Sequence, residues 1–220
     1  MTTPAAHLWL AAGVDAASDP RWNHNLHYQR VILDALPDSA RSALDVGCGD
    51  GLLVRELAAR VPRVVGIDLD GPSLARARDE LAGIDSARVE LVRGDVMTHP
   101  FEPASFDVVA SVAALHHLDA RAGLIRMREL LAPGGLLGIV GLASVESPAD
   151  AARSVAGVVA NRPYQLLTGR RHWEHAAPTV WPPPESYRAM RRIVAELLPG
   201  AVFRAHLFWR YTVLWTKPPR

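Results

Sequence analysis

Cysteine is all but missing from this sequence. Cys48 is the one cysteine among 220 residues, so no internal disulfide can form, and the first residues lack the basic region and long apolar core of a secretory signal. No apolar run reaches the roughly 20 residues needed to cross a bilayer. These absences set the expectation of a cytoplasmic protein with no membrane partner. A basic stripe is missing as well. The formal net charge is +1 and the arginines are dispersed, which argues against neutralisation of a phosphate backbone and so against nucleic acid as a partner. What remains is a chain with 49% hydrophobic residues, enough to bury one core of the larger single-domain kind. A monomer or homodimer is the expected state.

Ala43 to Val46 is a short apolar run of the buried-strand kind. It leads into Gly47-Cys48-Gly49-Asp50-Gly51, and a helical pattern begins at Leu52. Glycines at alternate positions let the backbone take positive φ and let a ligand approach the main chain where a Cβ would collide. The spacing is G-x-G-x-G, and the place of a dinucleotide fingerprint's third glycine is held by Leu52, which weakens an NAD reading. The helix that follows, Leu52 to Val61, points its first amides at whatever the loop holds.

The strand Arg63 to Asp68 ends in an acid. Ends of adjacent parallel strands lie side by side, so Asp68 is expected to face the same ligand; a carboxylate there accepts two hydrogen bonds from a ribose diol and repels a phosphate. As a helix N-cap, Asp68 has a better rival in Asp70. A third strand, Ala87 to Val92, leads to Asp95. That side chain either accepts from an adenine amine, with Val96 or Met97 on the ring, or bonds its own backbone in a turn.

Gly71 to Gly83 reads as a helix between these strands, so strand and helix alternate as in a parallel sheet. Upstream, Trp22 to Leu36 places apolar residues at helical spacing until Pro37. Its first turn crowds together Trp22, Asn23, His24, Asn25, His27 and Tyr28, either a solvated helix start or a lid over a bound ligand. Residues 1 to 20 carry only a short apolar patch, Leu8 to Ala12, and are expected to be partly disordered. Downstream, a fourth strand within Ser105 to Val112 is followed by His116 and His117, at the carboxyl edge where such sheets bind ligands. A helix from Ala120 to Leu131 and the turn Pro133-Gly134-Gly135 precede a fifth strand, Leu136 to Leu142. From Ser144 the alternation breaks into a helix over 148–162, a loop over 165–184 and a helix over 185–198. The last two runs, Ala201 to Leu207 and Arg210 to Thr216, lie too close together for a helical crossover and must pair as a hairpin.

Five stretches resemble, in order and spacing, the motifs of the class I S-adenosylmethionine-dependent methyltransferases of small-molecule type. They are Leu44-Asp45-Val46-Gly47-Cys48-Gly49-Asp50-Gly51, Gly66-Ile67-Asp68, Gly94-Asp95-Val96, Phe106-Asp107-Val108-Val109 with Leu115-His116-His117-Leu118, and Pro133-Gly134-Gly135. The resemblance covers about residues 40 to 142, with a matching terminal hairpin. It implies an α/β fold: a Rossmann-like, doubly wound, seven-stranded sheet of order 3-2-1-4-5-7-6 with strand seven antiparallel. It also implies one domain over 1–220, with an N-terminal extension or lid over 1–36 and, between strands five and six, a helical acceptor-binding elaboration over 144–198.

The same resemblance implies S-adenosyl-L-methionine as cofactor, S-adenosyl-L-homocysteine as product, and no metal. Asp45, Gly47 and Gly49 would hold the methionine part, with Cys48 as packing inside the loop. Asp68 would take the ribose hydroxyls, and Asp95 with Val96 the adenine; Leu69 and Tyr28 are counted with them as cofactor-binding residues. The implied reaction is in-line displacement of the methyl group to O, N or C of a small, partly aromatic or apolar acceptor, for which the protein supplies positioning and removal of a proton. His116 and His117 are the candidate bases, since their unperturbed pKa lies near working pH. Many members of the family need no base.

Acceptor contacts in this fold come from added segments. Here Tyr164, His172, Trp173, His175, Trp181 and Tyr187 either wall a small-molecule pocket or pack the added helices, and Arg170 and Arg171 either meet an anionic acceptor or form a solvated face. Asn161-Arg162-Pro163-Tyr164 resembles the Asn-Pro-Pro-Tyr motif of amino-methylating nucleic-acid enzymes, but that motif belongs after the fourth strand, so it is a decoy. The alternatives kept open are a nucleic-acid methyltransferase, a non-catalytic cofactor-binding scaffold or regulator, and an aminopropyl or carboxymethyl transferase on the same fold.

Overall fold

A computed structural model describes residues 21–168, 171–173 and 180–219. The patch at Leu8 to Ala12, the disorder expected of residues 1 to 20, and Arg170 and His175 lie outside the described residues.

Seven strands make one sheet: β1 Ser42–Val46, β2 Arg63–Asp68, β3 Val89–Arg93, β4 Phe106–Val112, β5 Leu131–Leu142, β6 Val202–Ala205 and β7 Arg210–Thr216. Their order is β3-β2-β1-β4-β5-β7-β6. The first five run parallel, and β7 is antiparallel to both β5 and β6, the topology that the resemblance implies, with the terminal hairpin expected from the sequence. The helices are α1 His24–Leu33, α2 Leu52–Ala58, α3 Gly71–Glu80, α4 Ala120–Leu130, α5 Pro148–Thr168 and α6 Tyr187–Leu197.

The central strands are apolar almost throughout because both faces of the sheet are covered. Leu44 and Val46 of β1 turn to one face, where they join Leu124 and Met127 of α4 and Met190 and Ile193 of α6. Ala43 turns to the other, with Ile32 of α1, Leu53 and Leu57 of α2 and Leu74 of α3. Parallel strands with their helices leave all the carboxyl ends on one edge. The loop after β1, the acid ending β2 and the two histidines after β4 therefore share that edge.

Helix starts follow local chemistry. Asn23, Asp70, Asp119 and Ser186 cap α1, α3, α4 and α6 by accepting from the backbone N–H three residues on. Asp70 thus takes the capping role in which Asp68 was the poorer candidate.

Several boundaries differ from expectation. The leading helix begins at His24, not Trp22, because Asn23 caps it; Arg21–Trp22 pairs instead in parallel with Arg171–His172. It also ends at Leu33, short of Leu36. α5 continues through Pro163 to Thr168, taking the first residues of the expected loop. Proline removes only one donor from the ladder, and α5 is held from outside: Gly157 lies against the Phe208 backbone, and Ala160 packs on the same core as Phe208. β5 begins at Leu131 because its register on β4 shifts between Phe106 and Val108, absorbing the Pro133-Gly134-Gly135 turn inside the strand. No described helix is long and apolar enough to cross a membrane.

Candidate functional site

The carboxyl ends of β1, β2, β3 and β4 surround a cavity of about 300 Å³, the lower end of the roughly 300–1,000 Å³ usual for small-molecule sites. The glycine loop from Gly47 to Asp50 lies on one side, Asp68 to Asp70 and Gly94 to Val96 on another, and Val112 to Ala114 with His117 on a third. Asn23, Asn25, Leu26 and Gln29 from the start of α1, together with Trp173, also line it.

Two glycines shape the loop for different reasons. Gly47 has φ +72°, and a Cβ there would lie 2.2 Å from the Cβ of Ala114. Gly49 has φ +51°, and its absent Cβ would meet nothing within 4 Å, so at this position the bare backbone leaves open space beside the cavity. The loop is tied to β2: the N–H groups of Gly47 and Cys48 donate to the Ile67 carbonyl at 2.9 and 3.1 Å. Asp68 completes the tie, accepting from Gly49 N–H and Asp70 N–H at 2.8 Å each. Those two bonds fix its carboxylate and leave its other lone pairs for a ligand diol.

Asp45 is the unusual group. It is 2% exposed, it borders the cavity, and its carboxyl makes no hydrogen bond or ion pair among the described residues. Burial, and next the charge of Asp68, raise it to about 8. A buried carboxyl without a donor is costly as an anion, and a cationic ligand group beside it would supply the missing partner.

Asp95 accepts from Met97 N–H at 2.9 Å, the turn role, and it also borders the cavity beside buried Val96. Leu69 is 64% exposed at the rim, a free apolar face for a flat ring. Cys48 lines the loop and is buried; burial pushes its thiol up, as suits a packing residue. No cluster able to hold a metal ion is found among the described residues.

The two histidines separate. The short turn Leu115–His117 buries Leu115 in the core and leaves His117 on the cavity, exposed, with its pKa lowered by partial burial while Asp68 raises it. His116 does not line this cavity. Its ring packs against that of His117, centroids 4.2 Å apart, and borders a second, small space with Leu142, Glu185 and Tyr211; its Nδ1 is buried without a partner, and burial followed by the charges of His117 and Arg210 brings it down to about 4. Tyr28 is also displaced from the expected set. Asn25, Leu26 and Gln29 are the residues of α1 that border the cavity, and Tyr28 is not among them. The Tyr28 hydroxyl donates to the Leu207 carbonyl at 3.1 Å and its ring stacks on His206.

Of the aromatic groups expected to wall an acceptor pocket, Trp173 borders the cavity. Trp181 is 63% exposed, and Tyr187 is buried beneath the Arg153 guanidinium. Tyr164 lies on α5, and His172 lies near Trp22. Asn161, from the decoy motif, has its Oδ1 3.4 Å from His24 Nε2. The sequence reading missed Leu26, Gln29 and the Ala113-Ala114 pair. A helical-face count through Asn25 would have found the first two; nothing in the sequence marks the alanines.

Comparison with known proteins adds a lineage to this geometry. A family model described as "Methyltransferase domain" matches residues 43–135. An uncharacterized methyltransferase of Mycobacterium tuberculosis is 39% identical over 201 residues, covering 91% of this chain and 99% of the relative. The 27-O-demethylrifamycin SV methyltransferase of Amycolatopsis mediterranei is 35% identical over 174 residues, covering 68% and 63%. Among solved structures, the phosphoethanolamine N-methyltransferase 2 of Haemonchus contortus, in complex with phosphomonomethylethanolamine and S-adenosylhomocysteine, matches with TM-score 0.60 and 17% identity over 90% of this chain and 53% of that one. That last likeness is one of fold.

Proposed function

This chain belongs to the class I S-adenosylmethionine-dependent methyltransferase family, and from that premise we propose that it methylates O, N or C of a small, partly aromatic or apolar molecule. The cofactor, when bound, supplies an electrophilic methyl group on a sulfonium. The chain's own part is to hold that cation-bearing nucleoside, seat the acceptor in line and take up a proton where the acceptor carries one.

One observation carries the reading: Asp45, Asp68 and Asp95, close to the carboxyl ends of three adjacent strands, border a single cavity that the apolar Leu69 and Val96 also line. Three acids with no phosphate-binding cation among them suit a ligand with an ammonium, a diol and a heteroaromatic ring. In this reading Asp45 accepts the ammonium, Gly47 and Gly49 let the chain of the ligand lie on the backbone, and Asp68 accepts from the diol. Asp95 and Val96 take the ring, with Leu69 over it.

His117 is the base we assign, since it borders the cavity and its lowered pKa keeps the imidazole neutral near pH 7. The acceptor side is formed by Asn25, Leu26 and Gln29 of α1 and by Trp173, so we read residues 1–36 as a lid and 144–198 as the acceptor-binding elaboration. The rifamycin relative is named for methylation of 27-O-demethylrifamycin SV, which supports a small acceptor.

The test has two stages. S-adenosylhomocysteine should raise the melting temperature by binding the native state, and incubation with S-adenosylmethionine and an acceptor panel should give a product heavier by one methylene, read by mass. Failure of the thermal shift removes the cofactor site. A shift without product from any acceptor makes the protein a cofactor-binding scaffold.

A further inference from the structure

Arg210 opens β7 opposite Leu142, the last residue of β5. It therefore stands on the same carboxyl edge as the cavity. Its Nε donates to Asn25 Oδ1 at 2.8 Å, and its Nη1 makes only long contacts to the Phe208 and Trp209 carbonyls, at 3.3 and 3.5 Å. Arg210 has no carboxylate partner among the described residues, and Nη2 has no hydrogen-bond partner at all there. Arg153, by contrast, is paired with Asp150 at 2.8 Å.

The groups whose charge states couple to Arg210 are His24, His116, Tyr28 and Tyr187. None of them is an anion near neutral pH. Burial and the nearby guanidinium hold both histidines down at about 4, so they stay neutral and add no like charge. Arg210 is half-buried, with one amide and two long carbonyl contacts and no carboxylate to neutralise it among the described residues. Its anchoring through Nε leaves the Nη edge of the fork, the edge that grips an oxyanion in two parallel hydrogen bonds. Asn25 makes the connection to the site, because it both borders the cavity and accepts from Arg210. The guanidinium is thus one side chain behind the cavity wall, on the side away from Asp68 and Asp95.

We propose that Arg210 is the anchor for an oxyanion, a carboxylate or a phosphate, on the methyl acceptor. The acceptor is then an anionic small molecule, and Arg210 sets specificity by holding its far end while the nucleophile faces His117. This rests on the methyltransferase reading above and names the class of acceptor within it.

Thermal unfolding of the full chain saturated with S-adenosylhomocysteine tests the proposal, using matched probes: benzoate, phenylacetate and octanoate against their primary amides, and phenyl phosphate against phenol. At least one anion should raise the melting temperature where its neutral match does not, and whether the responding anions are carboxylates or the phosphate identifies the source. The response should vanish in Arg210→Met and fall about tenfold in affinity in Arg210→Lys, which keeps the charge but loses the fork. Both variants should keep their response to S-adenosylhomocysteine. The proposal is overturned if no anion stabilises the wild type, if neutral matches do as well, or if Arg210→Met keeps the anion response. Should Arg210→Met fail to fold, the lysine variant decides, and unchanged anion affinity in it overturns the proposal. Absence of any S-adenosylhomocysteine shift in the wild type would instead overturn the cofactor site itself.

Discussion

Asp45 and Asp68 sit on neighbouring strands and border one cavity, and the charge of Asp68 adds to burial in raising the Asp45 carboxyl to about 8. The pair is therefore poised to give up a proton when a cation arrives.

That proton is measurable. Asp45 titrates at an ordinary 3.8 when unperturbed and at about 8 in the fold, so the folded state holds the proton more tightly than the unfolded chain. Its contribution to stability is complete below about pH 3.8 and is lost as pH rises through about 8. Binding an ammonium beside it reverses the preference. At pH 7, S-adenosylhomocysteine binding should release close to one proton, seen calorimetrically as a binding enthalpy that depends on the buffer's ionisation enthalpy. Asp45→Asn should abolish that dependence; its persistence would assign the proton elsewhere.

Asp68 makes two backbone bonds, to Gly49 and Asp70, besides bordering the cavity. Removing a charged hydrogen-bonding group costs ~1.5–3 kcal/mol, about 10- to 150-fold in affinity. Asp68→Ala should weaken S-adenosylhomocysteine by that order in a thermal-shift titration, and Asp68→Asn by less. An undiminished shift would remove Asp68 from the site.

The loop glycines should differ in kind. Gly47→Ala drives a Cβ to 2.2 Å from Ala114 at φ +72°, so it should lower the melting temperature of the free protein, by roughly 1–3 kcal/mol of overpacking. Gly49→Ala meets nothing within 4 Å. It should leave the free protein nearly as stable, about 1 kcal/mol of backbone strain aside, yet reduce cofactor affinity. Equal effects on stability would contradict this geometry.

The histidines should part in turnover. His117→Ala is expected to slow methyl transfer about a hundredfold or more while sparing S-adenosylhomocysteine affinity. His116→Ala, which does not border the cavity, should not slow it comparably. Near-normal turnover in His117→Ala would leave the reaction without a base.

Tyr28→Phe removes the bond to the Leu207 carbonyl and should cost ~1 kcal/mol of stability. Its cofactor affinity should be unchanged. A weakened cofactor would return Tyr28 to the site.

Local chemistry made most of the scaffold readable. The apolar runs of β1, β2 and β4 could only be buried strands, the cap at Asp70 followed from its side chain, and the short gap before Arg210 forced a hairpin. The positions of Gly47, Gly49, Asp45, Asp68 and Asp95 on one edge followed from parallel topology, which converts sequence order into spatial order. Direction around a helix or a tight turn is another matter. His116 and His117 are neighbours in sequence, yet only His117 borders the cavity, and His116 borders a second, small space with Tyr211. Tyr28 does not border the cavity, and its ring stacks on His206. The contact of Arg210 with Asn25 spans 185 positions, and no periodicity or spacing in the chain encodes such a pairing. By itself the sequence determined the sheet, the loop and the acids, each a matter of local pattern and strand order. Only the tertiary structure decided which side chains face the ligand, because that depends on how separately formed elements rotate and pack against one another.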